Sequence, residues 1–592
     1  MITIPQKDTK KFSQPNYGDT QGNLWGTFGV DLTKNTGRIR VTRTEAVFSE
    51  DDDNGFSTPS AFAFFDMNND GTREFITYAN KIYIGGSSPI DTTWVADVST
   101  DSPTGTKGDM VVFNGKLYVT GNSKLKRIAP GAAAWTDITS VTGTTNQLCV
   151  YKDKLYIVTA NKKVISMNLD ESINSTGIYT LDLSFESGYI SWIVAGSNRI
   201  WIGVLKNDGT KGEIYEWDGQ TENGWSKNYI IEAQGSTGCT IWNDIPYVMD
   251  IEGRLLAFNG SGFQEVARLP IMQYYQVNTL YASPFPNRIC HFNGIKTIND
   301  SIVININNTT SGSSTGLYEN YPSGIYEYTK ENGLIHKYAP SITIINEPTL
   351  DYGQHVVVGT GAIFDASSSN ASKSNNYSTI MFGFNAVDST GGNDMSYINV
   401  DVIQDRTNDP KHKRLGYIIT PFLESTKITD VWKSIIIKYR KMLDATDRIL
   451  VKYRTTKDIP IVKNTVTWTS DTQLTATTFT GVEVGMEVEV LTGNGAGAIS
   501  HVTSITDNTG SFTITLEDSI LGVSSGDKSN IRFQKWNQLP ITTANDFQFN
   551  DLTIPQYNKD TEMQFKIVMN WTNIENELRE VIVVNETDQH AK

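Results

Sequence analysis

Phe113-Asn114-Gly115-Lys116-Leu117-Tyr118 comes back as Tyr151-Lys152-Asp153-Lys154-Leu155-Tyr156, as Gly196-Ser197-Asn198-Arg199-Ile200-Trp201 and, more worn, as Trp242-Asn243-Asp244-Ile245-Pro246-Tyr247. An earlier copy is Tyr78-Ala79-Asn80-Lys81-Ile82-Tyr83. The well-kept copies are a tight polar turn, then a cation, an aliphatic and an aromatic. The closing aromatics stand at 83, 118, 156, 201 and 247, in steps of 35, 38, 45 and 46 residues. Recurrence at that spacing means a repeat architecture.

Inside each unit a second landmark is a short strand that ends in a turn. Glu213-Ile214-Tyr215-Glu216-Trp217 runs into Asp218-Gly219, and Arg254-Leu255-Leu256-Ala257-Phe258 into Asn259-Gly260. Val164-Ile165-Ser166-Met167 leads to Asn168 and Asp170. Asp-Gly and Asn-Gly supply the positive φ a hairpin needs, and the flanks alternate and are rich in β-branched and aromatic residues. No window carries a 3.6-residue apolar stripe. A unit of three or four short antiparallel strands cannot shelter both its faces alone, and radial stacking of such sheets solves that problem. The chain therefore resembles β-propellers in general, without the signature of a named repeat family. Ser301-Ile302-Val303-Ile304 with Gly324-Ile325-Tyr326-Glu327-Tyr328 make a further unit. His355-Val356-Val357-Val358 with Ile380-Met381-Phe382-Gly383-Phe384 make the next. Asn305 to Ser314 and Ser367 to Ser378 read as long exposed loops. The count is seven blades from about Ser60 to Asp401, with six and eight as neighbouring counts and a stack of β-sandwiches as the alternative.

The chain has 592 residues, enough for two to four domains, and is 38% hydrophobic and 19% charged, a globular composition. A net charge of −15 argues against a duplex-gripping surface, which needs clustered cations. No apolar run reaches membrane-spanning length, and Met1 to Lys7 has no apolar signal core. Cys149, Cys239 and Cys290 are an odd number and far apart, so they give no disulfide framework and read as buried thiols of a chain made in a reducing cytoplasm.

Residues 1–59 read as an N-terminal arm with strands at Gly26 to Asp31 and Arg38 to Val41, followed by the acidic loop Glu50 to Gly55. Such an arm either closes the ring by lending a strand or reaches a neighbouring subunit. The propeller occupies 60–405. A β-sandwich follows in two pieces, 406–462 and 533–592, with a small β-barrel, 463–532, inserted in one of its loops. Ser434 to Arg440 and Arg448 to Arg454 are expected to pair, with Lys438, Arg440, Lys452 and Arg454 on a wet face. Asn23-Leu24-Trp25-Gly26-Thr27-Phe28, Val30-Asp31-Leu32 and Gly37-Arg38-Ile39-Arg40 resemble the opening of tailed-bacteriophage virion proteins. The module from Trp468 through Val484-Gly485-Met486-Glu487-Val488 to His501-Val502-Thr503-Ser504-Ile505 is similar to small β-modules inserted in phage structural proteins. The resemblance covers about a fifth of the chain. It implies a repeated subunit of a tail, neck or fibre and carries over no site residues.

Asp66-Met67-Asn68-Asn69-Asp70-Gly71-Thr72-Arg73-Glu74 is the sharpest local motif. Its spacing fits two readings. In the first, Asp66, Asn68, Asp70, the Thr72 carbonyl and Glu74 surround calcium, as in the loops of FG-GAP propeller blades, which it resembles. In the second, the same side chains bond their own backbone. The first would make calcium the one cofactor, stiffening a loop. Gly493-Asn494-Gly495-Ala496-Gly497 lacks the helix and Lys-Ser/Thr of a phosphate cradle and reads as a hairpin turn. The six histidines, His291, His336, His355, His412, His501 and His590, show no zinc spacing. No sialidase box or nucleophile elbow occurs, although a carboxylate pair about 5 to 9 Å apart could arise on propeller loops. Trp192, Trp201, Trp217, Trp225 and Trp242 read as inter-sheet packing, with a sugar-stacking face as the alternative. The cations Lys81, Lys116, Lys154 and Arg199 read as solvated strand starts or as a ring facing a partner.

The expectation is thus an all-β, non-enzymatic structural subunit of a tailed-phage particle, made in the host cytoplasm and carried in the virion tail as a nozzle, tip or collar component. Its partners would be other tail proteins, copies of itself and DNA that passes without specific binding, with no insertion in a membrane. The alternatives are a receptor- or glycan-binding tail protein that meets a host surface glycan, and a calcium-dependent carbohydrate-active enzyme.

Overall fold

The computed structural model describes, with short internal gaps, residues 59–269, 290–306, 324–338, 357–365, 379–387, 394–402 and 415–587, together with segments 2–3, 26–31, 39–41 and 46–50. The polar arm 12–23, the acidic loop 51–55, the loops 307–314 and 367–378, the linker 405–414, the glycine run 493–497 and His355, His412 and His590 lie outside the described residues. Every described element is a strand, and among the described residues no helix is long and apolar enough to cross a membrane.

Among the described residues seven antiparallel sheets follow one another along the chain. Blade 1 holds Ala61–Phe65, Glu74–Tyr78 and Asn80–Ile84, with Val95–Ala96 and Thr104–Gly105 both paired to the last. Blades 2 to 6 are four-stranded meanders over 110–137, 145–182, 189–230, 236–268 and 295–338. Blade 7 takes Val357–Asp365, Thr379–Val387 and Asp394–Val402 from this run and its fourth strand, Ala46–Glu50, from the other end of the propeller. Glu50 faces Tyr397, Ser49 faces Ile398 and Ala46 faces Val400 in that pair. Of the two roles open to the N-terminal arm, ring closure within the chain is the one adopted. Closure of this kind covers a strand edge that would otherwise seek another partner.

In blades 2 to 5 the repeated stretch is the hairpin that joins the innermost strand to the second, whereas the earlier copy, Tyr78 to Tyr83, joins the second strand of blade 1 to the third and is not the same element. Asn114 and Gly115 have φ of 47° and 69°, Lys152 and Asp153 of 44° and 59°, and Asn243 and Asp244 of 50° and 62°. Positive φ at both central residues is the I′ turn, whose twist matches that of paired strands. The closing aromatic then reaches the next blade. The Tyr118 hydroxyl donates to Glu171 Oε1 at 2.9 Å, from blade 2 to blade 3. The Tyr156 hydroxyl donates to the Gly219 carbonyl at 2.7 Å, and its ring meets Trp217 edge-on at 5.5 Å, from blade 3 to blade 4. Trp201 packs on Phe258 of blade 5 at 5.1 Å, and Tyr247 on Tyr328 of blade 6 at 6.0 Å. All four rings are buried, each worth roughly 2–3 kcal/mol. The repeat is thus a repeat of inter-blade staples.

The sandwich has one sheet of Ile2–Thr3, Leu578–Thr587, Asp430–Tyr439 and Phe549–Thr553. Its second sheet holds Gly26–Phe28, Leu415–Ile419, Glu562–Asn570, Arg448–Thr455 and Asn537–Gln538, with two short flanking strands. Trp432, Ile435 and Ile437 of the first face Ile449, Val451, Phe565 and Ile567 of the second across the core. Asp430–Tyr439 and Arg448–Thr455 therefore lie in opposite sheets, and the expected pairing between them is corrected. The reason is a connection that crosses from one layer to the other instead of turning back in the same sheet.

Between Arg448–Thr455 and Asn537–Gln538 the chain makes a closed six-stranded barrel, bounded by Ile461–Ser470 and Lys528–Gln534. Trp468 sits at its centre and donates from its indole to Ser529 Oγ at 2.9 Å.

Candidate functional site

The innermost strands of a propeller converge on its axis, so polar groups at their ends meet there. Asp109 stands just before the inner strand of blade 2, with 6% of its surface exposed. Its Oδ1 accepts the Met110 N–H and the Asn293 amide, both at 2.8 Å, and its Oδ2 accepts the Leu148 N–H of blade 3 at 2.8 Å. The Asn293 amide, at the entry to blade 6, also donates to the Ser60 carbonyl beside blade 1 at 3.2 Å. Blades 2 and 6 are not ring neighbours, so the Asp109–Asn293 bond spans the axial opening and pins four blades together. Burial pushes the Asp109 carboxyl up, against its three donors and the nearby Lys296.

Lys296, on the inner strand of blade 6, is partly buried and lies near Asp109, Cys149 and Cys239. Desolvation pushes its ammonium below the ordinary lysine range, and Asp109 opposes that. The three cysteines are free and buried. Burial, and then the Asp109 charge, push the Cys149 thiol up to about 12, and burial raises Cys239 as well. Thiols held in that form are packing groups, not nucleophiles. The axis is a polar lock.

The Asp66 loop connects the first two strands of blade 1. Asp66 Oδ1 accepts the Asp70 N–H at 3.2 Å and Oδ2 the Gly71 N–H at 3.0 Å. Asp70 Oδ1 accepts the Thr72 N–H at 2.7 Å. Glu74 points inward, and its two oxygens accept the Asn68 amide at 2.8 Å and the Met67 N–H at 3.1 Å. The five oxygens thus serve donors of the loop itself, and Asn68 turns its nitrogen, not its oxygen, toward Glu74. Among the described residues no three or more His, Cys, Asp or Glu side chains converge on a common point. This is the geometry of a self-bonded turn, with Asn69 at φ 57° and Gly71 at φ 86°. The melting temperature is expected to be equal in millimolar calcium and in EDTA, and Asp66→Ala to cost about 1 kcal/mol in both. A rise of several degrees in calcium, abolished by Asp66→Ala, would instead give the loop to the cation.

Three of the four recurring cations, Lys116, Lys154 and Arg199, make local ties. Lys116 Nζ lies 2.5 Å from Glu171 Oε1, and Arg127 Nε donates to the same carboxylate at 2.8 Å. Lys154 bonds Asn168, and Arg199 bonds Glu216. Lys81 is exposed. Glu171 therefore gathers two cations and a phenol between blades 2 and 3, a role no spacing rule marks.

A second polar cluster joins the sandwich to the barrel, and here the wet-face expectation is overturned. Lys452, Arg454 and Lys566 are all buried on the outer face of the second sheet, beneath the barrel. Glu487 of the barrel takes Lys566 Nζ at 2.6 Å and Lys452 Nζ at 3.3 Å. Arg454 donates to Gln564 at 2.6 Å and to Gln534 at 2.9 Å and stacks 4.7 Å over Trp536. Arg532 is paired with Glu489. Only Lys438, paired with Glu580 at 2.5 Å, and Arg440 keep partial exposure.

Burial drives Glu487 up and Lys566 down, each toward its neutral form. For Glu487 the two ammoniums overcome this, and the carboxyl sits at about 2. Lys566 has one shared carboxylate against desolvation and the repulsion of Lys452, and stays below the usual lysine range. His501, beside this cluster, is lowered by burial and then by Lys452.

Trp192, Trp201, Trp217 and Trp242 are buried packing groups, whereas Trp225 keeps 41% of its surface exposed. No family model matches the chain, and no curated protein matches it. Among solved structures it is similar to BBS1N in complex with ARL6DN, at 13% identity over 63% of this chain and 100% of that one, with a TM-score of 0.38. It is also similar to the computationally designed Ika8 protein, at 11% identity over 60% and 99% of the two chains and a TM-score of 0.34. YCF48 from Cyanidioschyzon merolae is similar at 7% identity over 59% and 97%, with a TM-score of 0.35. Likenesses this remote carry no argument about partners or chemistry, and the fold stands on the strand pairings. Those pairings define the class: a seven-bladed β-propeller, closed by an N-terminal strand and joined to a β-sandwich with an inserted barrel.

Proposed function

We propose that this chain is a non-enzymatic structural subunit of a tailed-bacteriophage particle, present in several copies as a nozzle, tip or collar component. The observation that carries the reading is mechanical. N-terminal strands are stitched into both the sandwich and the last blade, the axis is pinned by Asp109 and Asn293, and the barrel is clamped to the sandwich by Glu487. That is the construction of a rigid load-bearing part, and the resemblance of 23–40 and 468–505 to phage virion proteins supports a place for it in such a particle. Because the Asp109–Asn293 bond spans the propeller axis, any DNA path would run between copies and not through a propeller, and the charge of −15 would keep DNA from sticking to it. Mass spectrometry of purified particles tests the reading. The protein is expected in stoichiometric, multi-copy amounts, and particles that infect normally without it would rule this role out.

A further inference from the structure

Between the two outer strands of blade 3 and the loop that precedes the outer strand of blade 4 lies an open cleft of about 580 Å³ lined by Lys163, Thr180, Asp182, Glu222, Asn223 and Trp225. We propose that it binds a neutral sugar unit of a longer glycan, with Trp225 as the stacking platform. A sugar ring has an apolar C–H face and a rim of hydroxyls, so its site needs an exposed aromatic plane ringed by polar side chains. Both are present. Trp225 is exposed yet held, because the buried Tyr215 ring meets it edge-on at 5.2 Å and 84°. Across the cleft, Lys163 and Asp182 are direct cross-strand partners, and Thr180 follows on the same face of its strand.

The loop that carries Glu222 to Trp225 is fixed in advance. Asp218 Oδ1 accepts the Gln220 and Thr221 N–H groups at 2.8 Å each, and the Trp217 indole donates to the Thr221 carbonyl at 2.8 Å. The Asn223 N–H donates to the Thr180 carbonyl at 2.8 Å and ties the loop to the opposite wall. A platform ordered before binding loses little entropy when the ligand arrives. Two carboxylates against one ammonium disfavour sialylated, sulfated or phosphorylated sugars, which is why the assigned class is neutral. The open sides let a chain continue past the bound unit. This site is independent of whether the chain serves in a phage particle.

Calorimetric titration of the full chain with cellohexaose, maltohexaose and a galactan-derived hexasaccharide, and with 6′-sialyllactose as the acidic control, tests the proposal. At least one neutral probe is expected to bind and to change indole fluorescence, with the acidic control about tenfold weaker or silent. Trp225→Ala should weaken binding by about tenfold or more, and Trp225→Phe by less, with unchanged melting temperatures. Should Trp225→Ala lose the fold, Glu222→Ala on the exposed loop reads the same loss of affinity. No binding of any neutral probe, or binding by Trp225→Ala and Glu222→Ala as tight as that of the native chain, overturns the site.

Discussion

Glu487→Gln is expected to cost about 3–5 kcal/mol at pH 7, because it leaves the Lys452 and Lys566 ammoniums buried together against a neutral amide. The loss should show as early release of the barrel: a first urea transition reported by Trp536, which stacks with Arg454 at the seam. Lys452→Met should be far milder, within about 1 kcal/mol of zero, since it removes the surplus cation and keeps the Glu487–Lys566 pair. The pH dependence follows from the sign of the shift. A carboxyl held down by folding contributes stability that is complete above its unfolded value, roughly 4.3, and is lost as the pH falls through its folded value. For Glu487 that folded value is about 2. The difference between the native chain and Glu487→Gln should therefore shrink between roughly pH 4 and pH 2. A difference that stays constant across that window would place the effect elsewhere.

Much of the propeller was legible because its repeat is chemical. Asn-Gly, Lys-Asp and Asn-Asp at one position in blades 2, 3 and 5 make the same turn, and the aromatic that follows it reaches the next blade each time. Other features left no such trace. Asp109 and Asn293 are 184 residues apart, and nothing local marks either as an axial group. Lys452 and Arg454 alternate with apolar residues as a solvated strand does, yet a barrel inserted later in the chain covers them. A two-sided strand with charges on one face looks the same in sequence whether that face meets water or a partner that neutralises it. The expected pairing of 434–440 with 448–454 failed for a related reason: neighbours in sequence were given to one sheet when the sandwich needed them in two. The Asp66 motif was legible as a turn but not as to its occupant, since calcium loops and self-bonded turns use the same oxygens. Among the tryptophans, spacing gave no way to tell exposed Trp225 from its buried counterparts.

Breaking the ring closure should be the other large effect. Val47→Pro together with Phe48→Pro removes a ladder N–H from Ala46–Glu50 whichever of the two faces Asp394–Val402, and proline is not accommodated within such a pairing. The edge of blade 7 would then stand open. The expected loss is on the order of 3 kcal/mol or more, a large share of the stability of an ordinary domain. It should come with concentration-dependent association as the freed edge recruits another chain. Unchanged stability and a monomer at every concentration would show that the strand is dispensable.

The closure itself is open to a direct measurement. Ser49 and Ile398 are Cα partners across the joining pair, and the three native cysteines are buried. Ser49→Cys with Ile398→Cys, oxidised mildly at low concentration, should form a disulfide within one chain, seen as a faster-migrating monomer on a non-reducing gel and as a single linked peptide after digestion. Disulfide-linked dimers in place of that monomer would mean that the strand leaves its own ring for a neighbour's, and no crosslink at all would mean that the ring is not joined there.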